Sequence, residues 1–161
     1  MNWQEICDEP AFKGLPFKIE TNKWGKIEMS PASNEHGMYQ VAVIELFLKL
    51  CKNGRPVSEC SIQTAEGVKV ADVGWGSYDF FRKHGRSNPY AESPEIVVEI
   101  LSPSNTLLEM QEKKKLYFDK AAKEFWICEK NGNMRFYTEE KELYRSEIVR
   151  DFPLQICIDF A

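Results

Sequence analysis

Apolar residues concentrate most densely in Ile96-Val97-Val98-Glu99-Ile100-Leu101, a short run closed by Ser102-Pro103-Ser104. Val, Ile and Leu favour strands, and a continuous run of this length predicts a strand covered on both faces. Elsewhere the pattern alternates or recurs at helical spacing. Up to about residue 18, Pro10, Gly14 and Pro16 break every period, which predicts a short helix or loop leading into the domain. Trp24 to Met29 reads as a strand after a turn at Asn22, ended by Ser30-Pro31. From His36 to Leu50, Met38, Val41, Ile44 and Leu48 recur as one stripe of a helix, with Asn34 as cap and Gly54 as stop. Val68 to Val73 alternates as a half-buried strand ending near Asp72, ahead of Gly74-Trp75-Gly76. Residues 77–94, rich in Gly, Pro, Ser and charge, read as a long irregular loop.

The second half is more regular. A helix is predicted over Glu109–Ala122, with Met110, Lys114, Tyr117 and Ala121 on one stripe, followed by a strand at Glu124–Cys128. Strand, helix and strand within this length form a crossover, which places the two strands parallel in one sheet. Asn131-Gly132 turns the chain into Met134–Tyr137, and short strands are expected near 143–144 and 154–158. The fold class expected is therefore mixed α/β, a central mixed sheet flanked by helices.

Composition changes this picture in three ways. With 161 residues, 43% of them hydrophobic, the chain suits one well-buried domain. A net charge of -4 excludes coating nucleic acid by charge alone, so any DNA contact must be local. Arg82-Lys83-His84-Gly85-Arg86 and Lys113-Lys114-Lys115 could supply one, or could be solvated surface. The five cysteines are scattered and never paired as C-x-x-C, which argues against a disulfide framework and a zinc site. No apolar run approaches about 20 residues and the N-terminus has no signal-like pattern, so a cytoplasmic protein without a membrane span is expected.

Candidate chemistry starts from Glu99. A carboxylate inside a buried strand is costly unless it is paired, hydrogen-bonded or bound to a metal. Asp72 on a neighbouring strand could join it on one Mg²⁺, with Mn²⁺ as substitute, because such ions take one or two carboxylates plus water and phosphate oxygens. Lys113, on the following helix, could then assist an attacking water, which is the chemistry of phosphodiester hydrolysis. Glu45 borders the stripe of the first long helix, either as an ordinary boundary residue or as an acid turned into the cleft.

Pro94 to Ser104, then Glu112-Lys113, Leu116-Tyr117 and Glu124-Phe125-Trp126-Ile127, resemble the Uma-type family of putative restriction endonucleases. Ile27-Glu28-Met29-Ser30-Pro31 with His36, and Ala71-Asp72-Val73-Gly74-Trp75, extend the likeness, so that it runs from about Trp24 to Tyr137. The resemblance implies the PD-(D/E)XK nuclease fold and a Mg²⁺-dependent DNA endonuclease. By position Asp72 and Glu99 match its metal-binding acids, and Glu45, on the first helix, is a candidate for the additional acid that many nucleases of the superfamily use, beside its reading as a boundary residue. The superfamily usually has lysine two residues after the second acid, where this chain has Leu101. Uma-type members resemble one another in a lysine on the next helix, which Lys113 matches. Ala71 stands where a proline is expected, and Glu109 where an aspartate is often seen. A DNA substrate and a homodimer follow as expectations, with residues 77–94 as the candidate substrate loop; a catalytically silent DNA- or protein-binding relative is the alternative.

Overall fold

The Glu99 strand lies inside a six-stranded sheet. In the computed structural model, which describes residues 1–160, the chain opens with helix α1 (Trp3–Asp8) and a short 3-10 turn at Pro10–Phe12. An antiparallel hairpin follows, β1 (Phe17–Thr21) and β2 (Ile27–Pro31), and then α2 (Asn34–Leu50). The main sheet is built from β3 (Gly54–Thr64), β4 (Gly67–Ser77), β5 (Ile96–Ile100), β6 (Glu124–Cys128), β7 (Met134–Tyr137) and β8 (Glu142–Leu143). These strands stand in sequence order, with β5 and β6 parallel and every other pair antiparallel. Helix α3 (Tyr78–His84) lies between β4 and β5, and α4 (Leu107–Phe118) crosses from β5 to β6. The crossover read from the sequence is therefore present.

Both faces of the sheet are covered. Tyr39, Val43 and Phe47 of α2 pack with Trp75, Val98, Trp126 and Phe136 on one side, and the rings of Phe47 and Trp126 stack at 5.2 Å. Met110 and Tyr117 of α4 pack with Val97, Phe125 and Ile127 on the other. Alternation along β5 thus sends Ile96, Val98 and Ile100 toward α2 and leaves Val97 and Glu99 facing α4.

Several expectations are corrected. Of the expected stripe, Met38, Val41 and Leu48 face solvent at 42–56% exposure and Ile44 packs against the edge of the core, while the buried stripe is Tyr39, Val43, Phe47. α2 carries apolar residues almost all round, and the aromatic bulk of Tyr39 and Phe47 decides which face enters the core. Asp72 lies within β4, not at its end, because Gly74 and Gly76 continue the strand. A Cβ at Gly74 would come within 3.0 Å of Cys60 Sγ and of Pro94, and one at Gly76 within 2.7 Å of Phe80, so these glycines serve close packing. Residues 77–94 contain α3, capped by the Ser77 hydroxyl and ended by Gly85 at φ 61°. Residues 154–158 form a single bridge, Asn133 with Gln155, and no strand. The strand expected over Trp24–Met29 is the second arm of a hairpin, β2, which begins at Ile27 and runs through Ser30 and Pro31, with Trp24 in the turn and β1 as the first arm.

Candidate active site

Strand register brings the two acids together. β4 and β5 pair Trp75 with Ile96, Gly74 with Val97 and Val73 with Val98; the pairing ends there, and just beyond it Asp72 reaches the backbone of β5 at Ile100 and shares Lys18 with Glu99. The inside–outside alternation of β4 also slips here, since Ala71 packs with the α4-side core and Val73 with the α2-side core. Both carboxylates are almost fully buried, at 1% and 2% exposure, and line a cleft of about 1180 Å³ between the hairpin, the start of α2 and α4.

Each oxygen of the pair has an assigned partner. Asp72 Oδ2 accepts the backbone N–H of Ile100 at 2.7 Å. Its Oδ1 lies 2.8 Å from Lys18 Nζ and 3.2 Å from His36 Nε2. Glu99 Oε1 accepts the Tyr117 hydroxyl at 2.8 Å and faces Lys113 Nζ at 3.3 Å, while Oε2 faces Lys18 Nζ at 3.5 Å. Lys113 is held in turn by Glu20 Oε1 at 2.9 Å, an oxygen that also accepts the Val70 N–H. Gln40 donates to the Asp72 carbonyl at 2.7 Å and to Glu59 at 2.8 Å. Three acids and two lysines therefore interleave below the cleft floor.

Electrostatics pushes the two acids apart. Burial opposes the charge on Asp72, but Lys18 and His36 outweigh it and hold its carboxyl well below the usual range. For Glu99 burial wins over the attraction of Lys113 and Lys18, and its carboxyl is raised. Burial likewise disfavours the ammonium of Lys18, yet Glu99, Asp72 and Glu20 raise it overall; Lys113 is raised the same way, chiefly by Glu99. His36 is raised by its hydrogen bond to Asp72. Separated acid strengths within one pocket are a mark of functional sites.

Glu124, also buried, makes the contrast. Its oxygens accept Trp126 Nε1, the Ser146 hydroxyl and the N–H groups of Glu147 and Ile148, so neutral donors satisfy it and fix the chain after β8. That is structural burial. Asp72 and Glu99 are balanced by ammonium groups that reach in from other elements.

Of the residues expected from sequence, Asp72, Glu99 and Lys113 meet in the cleft. Glu45 does not: it is exposed on α2 and absent from the cleft lining, because the helix turns His36 and Gln40 toward the site instead. The third acid present is Glu20. Residues 77–94 also stay away from the cleft; Lys83 pairs with Glu92 at 2.8 Å and Arg82 with Asp79 on α3. Lys18, Glu20, Gln40 and the Tyr117 contact were not foreseen. The signal available for the first two was the period-two spacing of charge in Phe17-Lys18-Ile19-Glu20, which puts both side chains on one face of a strand.

The donor chemistry fits a hard divalent cation, since every acidic group converging here offers carboxylate oxygens and no thiol takes part. Among the described residues no group of three or more His, Cys, Asp or Glu side chains forms a ready cage, because Lys18 and Lys113 sit between the acids.

Comparison with known proteins agrees with this architecture. The model of the family Uma2, described as "Putative restriction endonuclease", matches residues 17–157. The chain belongs to the Uma2 family. No curated protein matches it. Among solved structures, a crystal structure of a putative nuclease belonging to DUF820 from Anabaena variabilis ATCC 29413 is similar with a TM-score of 0.67 at 16% identity, covering 88% of this chain and 82% of that one. The fold is restriction-endonuclease-like, a mixed sheet flanked by helices. No helix among the described residues is long and apolar enough to cross a membrane.

Proposed function

We propose that this chain is a metal-dependent nuclease that hydrolyses DNA phosphodiester bonds, with Asp72 and Glu99 as the acids that hold Mg²⁺ or Mn²⁺. The observation that carries the reading is the burial of these two carboxylates side by side on β4 and β5, at the floor of a cleft and in contact with two lysines. A divalent ion bound there would neutralise charge on a phosphoryl oxygen and acidify a bound water. The chain's own residues do the rest. The Ile100 N–H fixes Asp72, and the Tyr117 hydroxyl fixes Glu99. Lys113, oriented by Glu20, stands where an ammonium can position the attacking water or stabilise charge that develops on the phosphate. Family membership supports the same class of chemistry.

Glu99→Gln tests it. The amide keeps the side chain's shape and can still accept from Tyr117, but cannot serve as an anionic ligand. Cleavage of a mixed DNA pool with Mn²⁺ should fall by about a hundredfold or more, with the circular dichroism spectrum unchanged. Undiminished cleavage would remove Glu99 from the mechanism.

One observation favours a second reading, a binding relative without catalysis: Lys18 already bridges Asp72 and Glu99. Such a protein should retain DNA at physiological salt with all divalent ions chelated, which the nuclease does not require.

A further inference from the structure

The tip of the β1–β2 hairpin carries an aromatic ring that the fold does not use. Trp24 is 72% exposed, although an indole is among the most costly side chains to leave in water. It lines the same cleft as Asp72 and Glu99. The turn that presents it is tightly organised. Asn22 Oδ1 accepts the N–H groups of both Trp24 and Lys26 at 3.1 Å, the Asn22 N–H donates to the Lys26 carbonyl at 3.0 Å, and Gly25 takes the positive φ of 71° that the turn requires. The Asn22 amide also donates to Glu28 at 3.2 Å across the hairpin. A ring held out on so ordered a turn is displayed, not merely left over.

Charge in the cleft sharpens the point. Eight carboxylates and five lysines line it, so the cleft as a whole cannot attract a polyanion by electrostatics. Lys18 and Lys113 are engaged with the buried acids, Lys69 lies 3.6 Å from Glu28, and Lys115 pairs with Asp119 at 2.6 Å. Among the described residues Lys23 is the one cleft lysine without an ion pair, and its Nζ lies 4.6 Å from the centre of the Trp24 ring. One face of the indole is therefore covered by a cation that is free to meet a phosphate, and the other is open to a flat ring. That combination suits a nucleotide whose base is unstacked: base on the indole, phosphate on the ammonium. In an intact duplex the bases are stacked on one another and closed to such a contact.

We infer that Trp24, with Lys23, is a substrate-positioning platform that stacks an unpaired base, so that the cleft takes single-stranded or locally unpaired DNA in preference to closed duplex. The inference rests on the nuclease reading above and gives its substrate a structural class. The platform stands at the hairpin tip, beyond the end of β1 that carries Glu20, so it grips the strand away from the acids.

The test is fluorescence polarisation of a labelled 20-nucleotide oligothymidylate and of a 20-base-pair duplex, with Ca²⁺ in place of Mg²⁺. Wild type should bind the single strand more tightly than the duplex. Trp24→Ala should weaken single-strand binding by about tenfold, Trp24→Phe should recover most of it, and Lys23→Gln should lower the slope of log affinity on log salt by about 0.7. Because Trp24 is exposed, its variants should melt with wild type, and their Mn²⁺ binding should be unaltered. Equal oligothymidylate affinity in wild type and Trp24→Ala, tighter binding of the duplex, or no measurable binding of the single strand would each overturn the inference. The two readings fail separately. Glu99-dependent cleavage with unchanged affinity in Trp24→Ala overturns the platform alone, whereas Trp24-dependent binding without any cleavage overturns the nuclease alone.

Discussion

Lys18 ties the two buried acids of the candidate site together. Its ammonium lies 2.8 Å from Asp72 and 3.5 Å from Glu99, in the space where two carboxylates would otherwise repel one another. A buried ion pair that loses one member leaves the other uncompensated, at a cost of about 3 kcal/mol. Lys18→Met should therefore lower the melting temperature in chelator. The same substitution removes the competitor for the acids, so saturating Mn²⁺ should raise the melting temperature of the variant by more than it raises wild type. Thermal melts with chelator and with Mn²⁺ read both effects; an equal Mn²⁺ shift in the two proteins would show that Lys18 and the ion do not compete.

At the scale of elements the hairpin β1–β2 completes the site, since it supplies Lys18 and Glu20 and carries Trp24. It is moored to β4 by the Val68 N–H donating to the Thr21 hydroxyl at 2.8 Å and by Lys69 donating to the Thr21 carbonyl at 3.0 Å. Gly67 makes the close approach possible. Its φ is 91°, and a Cβ there would stand 2.6 Å from the carbonyl oxygens of Thr21 and Asn22. Gly67→Ala should lower the melting temperature by about 5 °C and weaken Mn²⁺ binding, as Lys18 and Glu20 lose register. A variant that melts and binds like wild type would show that the hairpin is held elsewhere.

The same element shows where the sequence was legible and where it was not. β5, α4 and β6 could be read because buried strands and a capped helix leave strong apolar signals, and that reading placed Glu99 and Lys113 correctly relative to each other. β1 is hard to read because it is only five residues long, follows Pro10, Gly14 and Pro16, and turns its charged face inward: Lys18 and Glu20 enter the cleft while Phe17 stays 43% exposed, the reverse of what an apolar-inside pattern predicts. The helical period of α2 is legible but its rotation is not, since Met38, Val41, Ile44 and Leu48 make as regular a stripe as the buried Tyr39, Val43 and Phe47. The misplacement of Glu45 follows from that rotation. Gly74 and Gly76 looked like a strand end because local propensity carries no information about the Cys60 and Phe80 side chains packed against them.

At the scale of the molecule the site joins four separate parts of the chain: β1, the start of α2, the β4–β5 pair and α4. The acids alone would destabilise the folded state, and the two lysines offset them. Binding of a divalent ion by Asp72 and Glu99 together is what the proposed function requires. Calorimetric titration of Mn²⁺ into wild type and into an Asp72→Asn, Glu99→Gln double variant tests it without knowledge of the DNA target. Wild type should give a saturable binding heat that is lost in the double variant while its circular dichroism spectrum is retained. The same binding curve for both proteins would contradict it.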